Sequence, residues 1–111
     1  MIYYLAQPYS KDPEKSFTRA IVYTNAIIST GKFVFSPVLH THNYHKWLVD
    51  EGINNPVDLY YKWDLVIMAE FKEVTLVLCP GWTESKGCLA ERDFAALHDI
   101  PIIEYRELIG Q

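Results

Sequence analysis

The sequence predicts an α/β fold: one domain, 1–111, with a doubly wound, Rossmann/flavodoxin-like parallel sheet of four or five strands. Three observations support this prediction. The 111 residues can build one hydrophobic core but not two. Half of them are hydrophobic, which argues against a disordered chain. Short apolar runs alternate with helical patterns, which is typical of a parallel sheet covered by helices on both faces.

The first strand, helix and second strand form one crossover unit. Ile2–Ala6 is a short apolar and aromatic run, and Phe33-Val34-Phe35 is a second one. Between them, Asp12-Pro13-Glu14 supplies an N-cap, a proline at the first helical position and an acid in the first turn, and Gly31 supplies a stop. The helical spacing predicts that one face packs on the sheet: Phe17, Ala20, Ile21, Thr24, Ile27 and Ile28.

Between Val38 and Asn55 the pattern loosens, so we expect an irregular insert. Three histidines fall there, His40, His42 and His45, and they invite a zinc hypothesis. Because no Cys, Asp or Glu nearby supplies a clear further ligand, the sequence predicts no metal and no cofactor. The histidines then either decorate a partly ordered surface insert or face a substrate. The second alternative favours His40, which directly follows the second strand.

The rest of the chain predicts two long helices, two strands and a short terminal helix. Asn55 caps a helix that starts at Pro56 and runs to about Phe71. A buried strand, a turn rich in Pro, Gly and Ser, and a helix that begins near Lys86 come next. Pro101-Ile102-Ile103 predicts a fourth strand, and a short helical turn ends the chain.

Glu91 stands out on the helix that follows the Gly-Trp turn. On a helical wheel it falls within the apolar half, which contains Gly87, Cys88, Ala90, Phe94, Ala95 and Leu97. Charged side chains are almost never fully buried without a partner. Glu91 therefore either pairs with a Lys or Arg at the edge of the stripe or faces a ligand cavity.

The turn before this helix lies at the carboxyl end of a strand, where open α/β folds bind ligands. Ser85, Lys86 and Gly87 can offer backbone N–H groups and a hydroxyl to a phosphate or a sugar hydroxyl, and Gly87 allows a close approach. The alternative is that Ser85 only caps the helix.

Charge and composition exclude several classes of partner. The formal charge is −4 and no Lys or Arg cluster is present, which argues against duplex nucleic acid and against an anionic membrane surface. No signal-peptide pattern or membrane-length apolar run occurs, so we expect a cytoplasmic protein. Cys79 and Cys88 are expected to be free thiols.

Two motifs carry a resemblance to a known superfamily. Ser85-x-Gly87-x-x-x-Glu91 preceded by Pro80-Gly81-Trp82, together with the opening Tyr4-Leu5-Ala6-Gln7-Pro8-Tyr9-Ser10, resembles a small family of bacterial and phage proteins. That family is similar in fold to the nucleoside 2-deoxyribosyltransferases, and the order of strands and helices is shared over nearly the whole chain.

The resemblance implies an N-glycosidic enzyme that acts on a nucleoside or nucleotide, by transfer or hydrolysis. It implies Glu91 as the nucleophile and Asp64 as the group that meets the departing base, with Asp58 as a competitor. Tyr4 would orient Glu91, with Tyr3 as the alternative, since strand alternation turns only one of them toward the site. The residues expected to contact substrate are Ala6, Gln7, Pro8, His40, Gly81, Trp82, Ser85 and Gly87.

The sequence also departs from the deoxyribosyltransferases. Gln7 stands where relatives often carry Gly, and Gly81-Trp82 with a shorter turn replaces their acidic segment, so their substrates do not carry over. A different class of function stays open, a non-catalytic module that binds a nucleotide-like ligand. The resemblance further implies a homo-oligomer, for which Tyr44 and Trp47 are the interface candidates.

Overall fold

The order of helices and strands follows the expected alternation. The computed structural model describes the backbone of residues 1–50 and 56–110 and the side chains of residues 1–43 and 62–110. The elements are β1 Ile2–Ala6, α1 Pro13–Ile28, β2 Phe33–Phe35, α2 Pro37–Asp50, α3 Pro56–Glu70, β3 Val74–Leu78, α4 Lys86–Leu97, β4 Ile102–Glu104 and α5 Tyr105–Ile109. A 3₁₀ turn, Trp82–Glu84, lies between β3 and α4.

The four strands form one parallel sheet in the order β2-β1-β3-β4. The chain moves from β1 outward to β2, then returns to the other side of β1 for β3. The strand order therefore reverses between β1 and β3, which is the switch point where doubly wound sheets open a ligand crevice. Ala6 pairs with Leu78, so these two central strands end side by side. The predicted α/β class and doubly wound sheet are confirmed.

Helices cover both faces of the sheet, as the alternation of side chains along β1 requires. Tyr4 and Ala6 point into a cluster with residues of α3 and α4, such as Met68, Cys88 and Ala95. Leu5 points to the other face, into a cluster with Ile27 of α1 and Tyr105 of α5. All five residues of β3 are buried, as expected for a central parallel strand.

The predicted caps of α1 and α4 are present. The Asp12 carboxylate accepts a hydrogen bond from the Lys15 backbone N–H at 3.1 Å, and Ser85 Oγ accepts one from the Cys88 N–H at 3.2 Å. Gly31, beyond the end of α1, has a φ of +86°, which L side chains rarely adopt. These local signals fix the start of both helices next to the carboxyl edge of the sheet.

The expected irregular insert is wrong, because residues 37–50 form helix α2. Pro37 takes its first position, and Ser36 Oγ accepts a hydrogen bond from the Leu39 N–H at 3.3 Å. The buried residues Val38, Thr41 and His42 recur at helical spacing. Since two of these three are polar, the hydrophobic periodicity is weak, and the sequence pattern concealed a helix.

Three residues expected on packed faces are exposed instead. Ile21 and Ile28 are 42% and 51% exposed, because α1 meets the sheet through a narrow stripe that includes Ala20 and Ile27. Leu97 is 80% exposed in the last turn of α4.

Two further predictions concern the thiols and the membrane. Cys79 and Cys88 are free and buried, and they belong to clusters on opposite faces of the sheet. Within the part of the chain that the structure describes, no helix combines the length and the apolar character that crossing a membrane requires.

Candidate active site

A cavity of about 110 Å³ opens at the carboxyl ends of β1 and β3, at the switch point of the sheet. Its walls come from the loop after β1, from α2 and α3, and from the start of α4. The polar side chains among its described lining residues are Gln7, Tyr9, Ser10, Thr41, Asp64, Ser85 and Glu91. The fold thus gathers residues that are more than eighty positions apart in the chain.

Glu91 lies at this cavity with its carboxyl group removed from solvent. The residue is 9% exposed, and Oε2 has no hydrogen-bond partner. Burial raises the pKa of the carboxyl from 4.5 to about 8; the Tyr4 phenol lowers it and the Asp64 charge raises it further. No ion pair joins Glu91 to a Lys or Arg among the residues that the structure describes. Of the two alternatives for Glu91, the structure thus shows the carboxyl at a cavity.

Tyr4 lies beside Glu91, on the α4 face of β1. The side chain is fully buried, and its hydroxyl has no hydrogen bond of good geometry, although the phenol is near enough to shift the pKa of Glu91. Burial, with a contribution from Glu91, raises the pKa of Tyr4, so the phenol stays a hydrogen-bond donor. Tyr3 packs against the cluster on the opposite face of the sheet.

Asp64 of α3 brings a second carboxyl to the cavity. Its Oδ1 is buried without a hydrogen-bond partner, and burial raises the pKa of the carboxyl from 3.8 to about 7. Two carboxyl groups with raised pKa values therefore share one small space. Asp58, its competitor in the sequence, lies outside the described side chains.

Gln7, Ser85 and Gly87 complete the opposite wall. Gln7 Nε2 donates to the Ser16 carbonyl of α1, and its Oε1 is buried without a hydrogen-bond partner. Ser85 caps α4 and also lines the cavity, so capping and ligand contact are compatible at this residue. A Cβ on Gly87 would meet only Ser85 Oγ, at 3.9 Å, which shows that the space above this glycine is open.

An outer groove of about 720 Å³ continues from the cavity. The cavity and the groove share four lining residues, Tyr9, Ser10, Ser85 and Gly87. Pro8 and Gly81 line the groove but not the cavity. Gly81 has a φ of +88°, and a Cβ there would lie 3.3 Å from Pro8 Cγ, so this crossing requires glycine. The groove also carries three cationic side chains, Lys11, Arg19 and Lys86, and two acidic ones, Asp12 and Glu84.

Comparison with known proteins assigns the chain to a family. Residues 1–107 match the model of a family described as Domain of unknown function (DUF1937). The chain belongs to this DUF1937 family. A search of the curated proteins finds no match. Since the description of the DUF1937 family names no reaction, the function must be argued from the site.

Three residues expected to contact substrate line neither the cavity nor the outer groove in this DUF1937 domain. Ala6 is buried in the core on the α4 face of the sheet. His40 is exposed on α2 and contacts the rings of Phe35 and Trp63. Trp82 turns toward β4, where its Nε1 donates to Glu104 Oε1 at 3.0 Å. His40 lies away from the cavity because residues 37–50 form helix α2, and its position on this helix directs the ring toward Phe35 and Trp63.

The structure also brings residues to the site that the sequence did not indicate. Tyr9 and Thr41 line the cavity. His42, one turn of helix from Val38, is 3% exposed and accepts or donates a hydrogen bond at Nδ1 with Tyr9 Oη at 2.8 Å. The sequence contains one indication for His42, its helical spacing from Val38. That spacing is informative only when residues 37–50 are predicted to be a helix. His45 lies outside the described side chains.

Proposed function

We propose that the chain breaks the N-glycosidic bond of a nucleoside or nucleotide, with Glu91 attacking the anomeric carbon. One observation carries the proposal. The buried carboxyl of Glu91 and the half-buried carboxyl of Asp64 each place a buried oxygen without a hydrogen-bond partner at one cavity, and that cavity lies at the switch point of a doubly wound sheet.

The raised pKa values allow one carboxyl to act as an acid and the other as a nucleophile near neutral pH. With values of about 8 and about 7, the pair as a whole loses its protons around neutral pH. In the form with one proton, one carboxyl is an acid and the other a nucleophile. A basic nitrogen or oxygen of a bound nucleobase draws that proton to Asp64, which leaves Glu91 as a carboxylate.

The reaction then proceeds as a retaining glycosyl transfer. A Glu91 oxygen forms a bond to the anomeric carbon while the bond to the base breaks, and the electron pair of that bond leaves with the base. Asp64 gives its proton to the base. The Tyr4 phenol, which lies beside Glu91, donates to the carboxylate once Glu91 has lost its proton and so orients it. Water or a second base finally displaces the sugar from Glu91.

The two connected spaces favour a substrate with an anionic part. The cavity, at about 110 Å³, is smaller than the roughly 300–1,000 Å³ usual for small-molecule sites, so a whole nucleotide would have to extend into the groove. There it would meet Lys11, Arg19 and Lys86, as well as the N-terminus of α4. These groups favour a nucleoside 5′-phosphate over an uncharged nucleoside.

The experiment is an assay for free base with a panel of nucleosides, deoxynucleosides and their 5′-monophosphates. We expect base release by the wild type and a loss of about 10³-fold or more in Glu91→Gln, because a group that forms the covalent intermediate cannot be replaced by an amide. Asp93→Asn is the matched control, since it removes an exposed carboxylate from the same helix. Activity unchanged in Glu91→Gln would remove Glu91 from the mechanism.

The same panel separates catalysis from a pure binding role. A non-catalytic module would show a rise in melting temperature with a nucleotide, but no base release, and Glu91→Gln would leave that rise largely intact.

The homo-oligomer implied by the resemblance stays a prediction. Tyr44 and Trp47, its interface candidates, lie outside the described side chains. Light scattering of the purified chain would measure the mass directly, against 12.9 kDa for one copy.

A further inference from the structure

A second polar cluster borders the cavity, apart from Glu91, Asp64 and Tyr4. His42 of α2 lies between Tyr9, in the loop after β1, and Glu14, in the first turn of α1. Its Nδ1 is 2.8 Å from Tyr9 Oη, and its Nε2 is 3.5 Å from Glu14 Oε1. The ring of Phe17 stacks on the imidazole, with centroids 4.3 Å apart and planes 14° apart. His42 is thus a buried ring with Phe17 on its face, a hydrogen bond with Tyr9 at Nδ1 and an ion-pair contact with Glu14 at Nε2.

The surroundings of His42 set the direction of its hydrogen bonds. A carboxylate can only accept, so the nitrogen that faces Glu14, Nε2, carries the hydrogen in the neutral ring. Nδ1 is then an acceptor, and the Tyr9 hydroxyl donates to it. The phenol proton therefore points at the imidazole, so Tyr9 Oη can take up a proton from a neighbouring group as its own proton passes to His42 Nδ1.

Tyr9 also lies where this basicity can be used. It lines both the cavity that contains Glu91 and the outer groove, so it stands at the junction of the two. Glu14 is on the solvent side, with 69% of its side chain exposed, whereas His42 is 3% exposed. The three residues therefore form a path from the cavity to solvent, through a hydroxyl, an imidazole and a carboxylate.

We propose that Tyr9, His42 and Glu14 form a proton relay that activates the acceptor, water or a hydroxyl, in the second half of the reaction. This inference rests on the proposed glycosidic function. Tyr9 is the catalytic residue of the relay, since it touches the acceptor, and His42 and Glu14 are positioning residues.

In this step the acceptor replaces Glu91 on the anomeric carbon. The acceptor oxygen forms a bond to the anomeric carbon of the glycosyl ester while the bond between that carbon and the Glu91 oxygen breaks, and its electron pair returns to Glu91 as a carboxylate. The acceptor proton passes to Tyr9 Oη as the original phenol proton passes to His42 Nδ1. The imidazolium formed is stabilised by Glu14, and it later releases a proton to solvent.

The deciding variant is Tyr9→Phe, which keeps the ring and removes the hydroxyl. Pre-steady-state base release and steady-state turnover are measured on the same full chain, together with its intact mass. We expect a burst of about one base per chain at a rate within twofold of the wild type. Turnover should fall by about 10²-fold, the usual scale of general base catalysis, and a mass adduct of the sugar on Glu91 should accumulate. If burst and turnover fall together, or if neither changes, the relay is overturned.

Two further variants separate the relay from simple packing. Phe17→Leu disturbs the stacking on His42 without removing a polar atom, and we expect burst and turnover to stay in the wild-type ratio. Glu14→Gln, at an exposed position, should lower turnover more than the burst. The opposite pattern, with a split in Phe17→Leu and none in Glu14→Gln, would show that packing alone matters.

A readout that needs no substrate tests the direction of the hydrogen bonds. ¹⁵N NMR of the wild type should show the neutral His42 ring with hydrogen on Nε2, and a ring with hydrogen on Nδ1 overturns the relay. A wild type that releases no base from any nucleoside or nucleotide overturns the glycosidic function and the acceptor step with it, so the two failures are distinguishable.

Discussion

Glu91 combines a carboxyl group with a site that disfavours its charge, and the stability of the protein should reveal this. The folded pKa of about 8 lies above the ordinary value of 4.5. Between these pH values the folded chain keeps a proton that the unfolded chain has lost, so wild-type stability falls as pH rises through this window. The Asp64 carboxyl acts in the same direction over a lower range, up to about 7.

We therefore expect Glu91→Gln to stabilise the protein at pH 8 relative to the wild type, and to have a much smaller effect near pH 4. The difference at pH 8 should be on the order of 4 kcal/mol, since the pKa rises from 4.5 to about 8 on folding and each pKa unit corresponds to about 1.4 kcal/mol. Urea denaturation of both proteins at the two pH values measures it. A stability difference that does not change with pH would show that the carboxyl is not held neutral by burial.

The pair of carboxyls also predicts the pH dependence of base release. The active form holds one proton, so the rate should fall below about pH 7, as both carboxyls become protonated, and above about pH 8, as the acid is lost. Asp64→Asn should abolish the alkaline limb along with most of the rate. A profile that is flat from pH 6 to 9 would contradict the assignment of an acid and a nucleophile to this pair.

At the scale of one element, helix α4 is built to leave space at its start. Gly87 lies at the second helical position, and a Cβ there would face open space above Ser85. Alanine favours a helix over glycine by up to about 1 kcal/mol, so Gly87→Ala should not destabilise the fold. The added methyl narrows the passage between cavity and groove.

We expect Gly87→Ala to raise KM severalfold while kcat changes less, because the methyl opposes substrate entry in ground state and transition state alike. Ala96→Gly, at an exposed position of the same helix that lines neither the cavity nor the groove, is the control for helix propensity. A KM unchanged in Gly87→Ala would mean that substrate does not pass this residue.

How well an element could be predicted depended on how its apolar residues are distributed. Strand β1 was predictable because it is an apolar run. Helices α1 and α4 were predictable because Asp12 and Ser85 precede them, and the side chains of both residues make the expected caps. Helix α2 was not, because Thr41 and His42 occupy buried positions that normally carry apolar residues. Burial of polar groups that are satisfied by partners leaves no hydrophobic pattern to detect.

At the scale of the whole molecule, the two faces of the sheet have different roles. One face carries Tyr4 and the Glu91 helix, and the other is closed by α1 and by α5, whose Tyr105 packs on Tyr23 with ring centroids 4.7 Å apart. The described residues of α5 line neither the cavity nor the outer groove, so damage at α5 should lower the stability of the protein and leave the reaction unchanged.

We expect Tyr105→Ala to lower the free energy of unfolding by about 3 kcal/mol, the scale for removing a large buried ring, and to leave base release per folded molecule unchanged. Denaturation and an active-site titration measure the two effects. Arg106→Ala, at the exposed neighbouring position, is the control. Loss of activity at full folding would show that the faces are coupled.

The site was predictable as far as topology alone determines it. The carboxyl ends of all strands of a parallel sheet lie at one edge, and so Gln7, Ser85 and the Glu91 helix could be grouped from the sequence. Which way a ring points depends on packing, and this is why Trp82 and His40 were expected at the cavity and lie elsewhere. Tyr9 and His42 meet only through the fold, 33 positions apart.

The position of Trp82 has a practical consequence for observing ligands. Its indole is tied to Glu104 at 3.0 Å, and the Arg92 guanidinium lies over its ring at 5.4 Å. The turn that carries Trp82 ends at Ser85, which lines the cavity. An occupant that shifts this turn would alter the indole's polar surroundings, so the intrinsic fluorescence of the protein should change wavelength on titration. Trp82→Phe should remove the part of that signal that comes from the turn, without abolishing binding.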